Sequence, residues 1–231
     1  MIAVTFAIPQ ESRAFQAALR RAGLGSEAIR VVHTGIGRAA AAGAMRTLLA
    51  EHQPTAIVAS GFAGALDPAL RIGDVIVATN RSSPAFLECC RARWKSDGRM
   101  VFGPLETTDR VVEGVEEKAQ LARSSAAVAV DMETSAIHAA CLEAGVPLLA
   151  FRAISDTVDR PIPLPFAISY DLERQRPRPL ATAWYLARNP RAVWPLAHFV
   201  QDLGLAGAEL ARRLVEILDD VRSGAERPPR A

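Results

Sequence analysis

An α/β fold is the expectation from the sequence, on three observations. Strand-like and helical patterns alternate from the first residues, the strand-like runs are almost continuously apolar, and 231 residues that are 50% apolar suffice for one sheet with its helices. Runs such as IAVTFAI (2–8), AIVAS (56–60) and GDVIVAT (73–79) are rich in Val and Ile without strict polar alternation. That composition suits strands covered on both faces.

The elements follow in order. Residues 2–8 predict a strand and residues 10–24 a helix, with Phe15, Leu19 and Ala22 on one face. RVVH (30–33) reads as a strand that turns through Thr34-Gly35-Ile36-Gly37 into an Ala-rich helix ending near His52. AIVAS is a short buried strand before a Gly-rich loop, 61–64, and residues 73–79 form another strand. The stretch 80–108 is the least periodic. A helix over 109–123, a strand over 126–130, a helix over 131–144 and a strand over 147–154 complete the alternation. Residues 158–179 hold five prolines, which predicts a loop or lid in place of regular structure. Two or three helices finish the chain, the last over about 204–221, and SGAERPPRA is expected to be disordered. With no internal repeat and no shift in composition, residues 1–223 are expected to form a single domain.

Composition excludes several classes of function. A formal net charge of +2, with both signs interleaved, offers no basic stripe for a phosphate backbone, so no nucleic-acid partner is expected. No apolar run is long enough to span a membrane. The opening MIAVTFAIP lacks the basic flank and cleavage site of a signal peptide, so a cytoplasmic location is expected. Cys89, Cys90 and Cys141 have neither even number nor CxxC spacing, which argues against a disulfide framework or a zinc site; Cys89 and Cys90 are expected to be surface or half-buried thiols in preference to a redox-active pair. His33 and His138 have no ligand spacing to another His or Cys, so neither metal nor cofactor is expected.

Two acidic positions carry the chemistry. Val130-Asp131-Met132-Glu133 lies where a buried strand becomes a helix, and Asp131 as an N-cap accounts for an acid there without any function. Phe151-Arg152-Ala153-Ile154-Ser155-Asp156 ends the next strand. Ligands of open α/β sheets bind at the C-terminal strand ends, so acids at the ends of neighbouring strands would share one cleft.

The segments TGIGRAAAAGAMRTLLAEHQPTAIVASGFAGALDPALRIGDVIVA, VDMETSAIHAAC and FRAISDT resemble, in order and spacing, the purine nucleoside phosphorylase and uridine phosphorylase superfamily. Within it they are most similar to the nucleosidases that cleave methylthioadenosine and adenosylhomocysteine, over about residues 2–157. The resemblance implies a three-layer αβα sandwich around a mixed, partly barrel-like central sheet, a small-molecule nucleoside as ligand, and a homodimer or larger homo-oligomer. It gives Asp156 the role of protonating purine N7, with Ser155 orienting that carboxyl. Glu133 would bind the ribose hydroxyls and Met132 would lie beneath the sugar. Glu11 matches the glutamate that orients the attacking water, as hydrolysis requires of a base. Arg13 faces either the same pocket or solvent. Gly61, with Gly35, Gly37 and Gly64, serves either turn geometry or close approach of backbone to ligand.

Three departures from that pattern bear on substrate. Phosphorolytic relatives hold phosphate near the loop that here reads Ala59-Ser60-Gly61-Phe62, and an apolar ring at Phe62 supplies neither charge nor donor. Val111 and Val112 stand where an adenine-stacking aromatic is expected, which weakens the methylthioadenosine assignment. After about residue 158 the chain resembles hopanoid-associated phosphorylase-like proteins, with Trp184, Tyr185, Trp194 and Phe199 concentrated in a helical extension. That extension reads as an apolar channel for a lipid-bearing nucleoside, as a peripheral membrane surface, or as helices packed on the core or a partner subunit. The leading expectation is a purine, and by resemblance adenine, nucleosidase that uses water. A phosphorylase, an enzyme removing adenine from an adenosyl-lipid, a nucleoside-binding protein without turnover, and a docking module are the alternatives.

Overall fold

Alternate residues of the buried strands leave the sheet on opposite sides, and both sides are covered. In β1 (Ile2–Phe6), Ile2, Val4 and Phe6 join one apolar cluster while Ala3 joins another. In β8 (Leu148–Asp156), Leu149, Phe151 and Ala153 join the first cluster, and Leu148 joins the second. The computed structural model describes residues 1–23, 28–160 and 162–223. It is an α/β sandwich in which helices flank a central, mostly parallel sheet. The order β2-β1-β3-β8-β4-β5 joins β2 (Ile29–His33), β3 (Ala56–Ala65), β4 (Val75–Ala78) and β5 (Met100–Gly103) to β1 and β8. Only β4 runs antiparallel to its neighbour β8 along that path.

The long strand β3 makes the sheet curl. Its residues 56–59 pair with β1 and 57–64 with β8, while its last two residues, Gly64 and Ala65, pair antiparallel with Val130 and Ala129 of β7 (Ala129–Asp131). β6 (Leu105–Thr107) continues from β7. The enclosed side holds a small-residue core that includes Ala63, Ala65, Leu105, Ala129 and Ile154. On one outer face lie α1 (Pro9–Arg21), α3 (Pro84–Arg93) and the last half of α8 (Val193–Ser223); on the other lie α2 (Arg38–His52) and α5 (Thr134–Ala144).

Several expectations need correction. The run 61–64 is not a loop: β3 passes straight through it, because small residues let strand and site side chains approach closely. β7 and β8 are not neighbours; they pair with opposite edges of β3, which lies between them. Residues 109–114 are not helical, and α4 spans Val115–Ser125. The stretch 80–108 contains α3 and two strands. Cys89 and Cys90 are buried, packed with Trp94 and Phe86 in the largest cluster. In α1 the buried positions are Ser12, Phe15 and Leu19, while Ala22 is exposed.

The Pro-rich segment carries a short helix, α6 (Phe166–Ser169), and a two-stranded hairpin of β9 (Tyr170–Asp171) and β10 (Arg176–Pro177). It is strapped down at three places. Gln175 Oε1 accepts the Ile36 N–H at 2.8 Å, Glu113 Oε1 accepts the Phe166 N–H at 2.5 Å, and Arg160 pairs with Asp202 of α8 at 3.0 Å. After α7 (Pro179–Arg188), α8 begins at Val193, eleven residues before the expected start. Its second half is core, with Ala206, Leu210, Leu214 and Leu218 buried against α1 and β8. The terminal residues 224–231 and position 24 lie outside the described residues.

Candidate active site

Two glycines of β3 form a floor on which the acids rest. Gly61 has φ 148°, and a Cβ there would lie 3.1 Å from Glu11 Oε2 and 3.3 Å from Arg152 Nη1. A Cβ on Gly64 would lie 3.0 Å from Asp156 Oδ2. Both positions therefore keep side-chain volume out of the space the acids occupy.

Above that floor lies a cavity of about 730 Å³. Glu11, Glu133 and Asp156 all line it, together with Met132, Ser155, Phe62, Val111 and Val112. Gly61 stands behind Glu11 as part of the floor, and Arg13 reaches the wall from an exposed position on α1. Phe62 sits close to Gly207 of α8, with a ring carbon 3.6 Å from where a Cβ would be. Val112 is buried with Leu66, Ala127 and Val130.

Each acid has a distinct setting. Glu11, in the first turn of α1, accepts the Ala7 N–H through Oε2 at 2.9 Å. Burial raises its pKa above the ordinary carboxylate value, against the opposing pull of Arg152. Glu133 Oε1 accepts the N–H of Gly37 at 2.8 Å, where the turn into α2 has φ 92°. Burial, then repulsion from Asp131, push Glu133 up to about 8, with Arg152 and the Gly37 N–H opposing. Asp156 Oδ1 accepts the Ser155 hydroxyl at 2.8 Å, and Oδ2 accepts the Nζ of Lys118.

Arg152 and Lys118 are functional candidates that the sequence reading gave no role. Arg152 is 2% exposed and gives Nε and Nη2 to Asp131 Oδ2 at 2.9 and 2.8 Å. Burial disfavours its charge, but Asp131, Glu133 and Glu11 outweigh that and raise its pKa. Its Nη1 has no hydrogen-bond partner among the described residues. Asp131 is thus an anchor for Arg152 as well as a partner of the Thr134 N–H at 3.0 Å in α5. Each lies within a quoted motif, but only the curl of β3 sets β7 and β8 facing one another. For Lys118 the one available signal was its being one of two lysines in the chain.

The far wall of the cavity is apolar. Leu196, Phe199, Leu203 and Gly207 recur at helical spacing on α8, and Ile162, Leu164 and Phe166 face them from the Pro-rich segment. No helix among the described residues is long and apolar enough to cross a membrane.

A family model described as the phosphorylase superfamily matches residues 8–167. The chain belongs to the phosphorylase superfamily. The fold of this superfamily member is shared with the 5'-methylthioadenosine/S-adenosyl homocysteine nucleosidase of Helicobacter pylori, at TM-score 0.66 and 18% identity over 95% of this chain and 97% of that one. The futalosine hydrolase of Helicobacter pylori matches at TM-score 0.65 and 19% identity over 95% and 97%. The 5'-methylthioadenosine/S-adenosylhomocysteine nucleosidase of Neisseria meningitidis matches at 0.66 and 21% over 95% and 98%. Coverage of 95% extends the shared fold well past residue 158, so most of the C-terminal third lies within it.

Proposed function

We propose that the protein is a purine nucleosidase that hydrolyses the N-glycosidic bond, with adenine as the base. The convergence of Glu11, Glu133 and Asp156 on one cavity carries this reading. Asp156, held by Ser155 and Lys118, faces the purine and assists its departure at N7. Glu133 binds the ribose hydroxyls and aligns the sugar for its oxocarbenium-like transition state. Glu11 orients and deprotonates the water that attacks C1′, with the free Nη1 of Arg152 as a second partner for that water.

Water is favoured over phosphate by charge. Glu11, Asp131 and Glu133 crowd the Arg152 guanidinium, and Asp131 already takes its Nε and Nη2, so a phosphate there would face carboxyl groups with little of the cation left to hold it. The nucleosidase and hydrolase names of its structural neighbours agree with that choice. The apolar wall from Leu196 to Gly207 favours an apolar 5′ substituent, and the adenosyl-lipid substrate is the reading that fits it.

The test is release of free base from adenosine, methylthioadenosine, futalosine and a long-chain 5′-alkyl adenosine, with and without phosphate. Base release without phosphate is the expected result. Strict dependence on phosphate would establish a phosphorylase, and tight nucleoside binding without release would establish a binding protein.

A further inference from the structure

Lys118 has a setting that packing alone does not explain. It is the one buried residue of α4, and its side chain is 0% exposed. Its Nζ donates to Asp156 Oδ2 and, at 3.1 Å, to the carbonyl of Thr157; it also lies 3.5 Å from where a Gly64 Cβ would be. A helix that needs only to pack against a sheet buries an aliphatic side chain, because an ammonium is costly to desolvate. Here the ammonium is directed at the acid assigned to the leaving base.

We propose that Lys118 is the proton-relay partner of Asp156, a positioning residue that acts on the substrate through that carboxyl. The inference rests on the nucleosidase reading and goes beyond it. Lys118 Nζ donates to Asp156 Oδ2, so the carboxyl is the acceptor of the pair and a proton for N7 has to come through it from Lys118. As the C1′–N9 bond breaks, its electron pair passes into the base and N7 takes a proton from the Asp156 carboxyl. That proton is supplied by Lys118 Nζ, which is left as a neutral amine. The water oxygen bonds C1′ and gives its proton to Glu11. After the base leaves, Lys118 regains a proton from solvent and Glu11 returns its proton there.

The test compares adenosine with 4-nitrophenyl riboside, whose leaving group departs as an anion without a proton. The variants are K118M, which removes the charge, and K118R, which keeps the charge but does not give up a proton at ordinary pH. Both are expected to lower kcat/KM for adenosine by roughly 10²–10⁴-fold relative to 4-nitrophenyl riboside, the usual worth of a general acid. Equal losses on both substrates, or an adenosine rate retained by K118R, overturn the relay and leave Lys118 a structural charge. The wild-type protein gives a reading independent of variant folding. Its solvent deuterium isotope effect on kcat/KM is expected to be larger for adenosine than for 4-nitrophenyl riboside, and equal effects on the two overturn the proposal. Wild-type protein that releases base from none of adenosine, methylthioadenosine, futalosine and a long-chain 5′-alkyl adenosine overturns the nucleosidase reading itself, and the relay with it.

Discussion

At the residue scale, Glu133 shows how a site works against the stability of its fold. The residue is 8% exposed, beside Asp131, and its pKa rises from 4.5 to about 8. Between those values the folded protein keeps a proton that the unfolded chain has released. Stability from this group is therefore greatest below about 4.5 and falls as pH rises to about 8. E133Q keeps an oxygen for the Gly37 N–H and removes the titration. We expect it to flatten the fall in thermal midpoint over that pH range and to add roughly 1–3 kcal/mol at its alkaline end. It should also lower kcat/KM for adenosine by about 10²-fold, because the ribose loses an acceptor that aligns it. Thermal melts from pH 4.5 to 8 check the first part; an unchanged slope would mean that another group carries it.

At the element scale, α8 serves two masters along its length. Its second half, from Ala206 to Leu218, is core, and Arg213, 3% exposed and braced by Glu209 one turn earlier, ties it to Asp97. The indole N–H of Trp94 adds a bond to Glu216 at 3.1 Å. Its first half stands over the cavity, where Leu196, Phe199 and Leu203 repeat every three or four residues. That wall gives 5′ selectivity a physical source in apolar burial, worth about 1.5–3 kcal/mol for a large side chain. F199A is therefore expected to lower the ratio of kcat/KM for a long-chain 5′-alkyl adenosine to that for adenosine by roughly 10–100-fold. Competition kinetics with the two substrates would reveal this, and an unchanged ratio would remove α8 from the binding of the 5′ group.

At the scale of the whole molecule, apolar surface is concentrated on α7 and the outer side of α8. Trp184 is 60% exposed and Trp194 74%, with Leu180, Val193 and Leu205 also exposed. Large apolar patches of this kind mark association sites. A second copy of the chain is the occupant we expect, so the protein should sediment as a homodimer or larger. W184E/W194E should shift it to the monomer. Flotation of the wild type with phospholipid vesicles, lost in the same variant, would point to a membrane surface instead.

The α/β alternation and the doubly covered strands were legible in the sequence, because period and composition are local properties of the chain; the order of motifs pointed to Glu11, Glu133 and Asp156, which the fold brings to one cavity. The sequence also placed Phe62, Met132, Ser155, Val111 and Val112 among candidates that the fold gathers on one cavity. It misjudged Cys89 and Cys90, whose burial depends on how α3 packs, and the run 61–64, which reads as a loop but is strand. Lys118 and Arg152 became legible only in three dimensions. Lys118 is 38 residues from Asp156, and Arg152 is 21 from Asp131. Nothing local in a helix says that its single buried lysine will meet an acid at the end of another strand. Glu133 and Asp156 share a cavity not because their strands are neighbours but because β3 lies between them and curls. The tertiary structure thus decided which charges face one another, since a buried pair is set by the packing of distant segments.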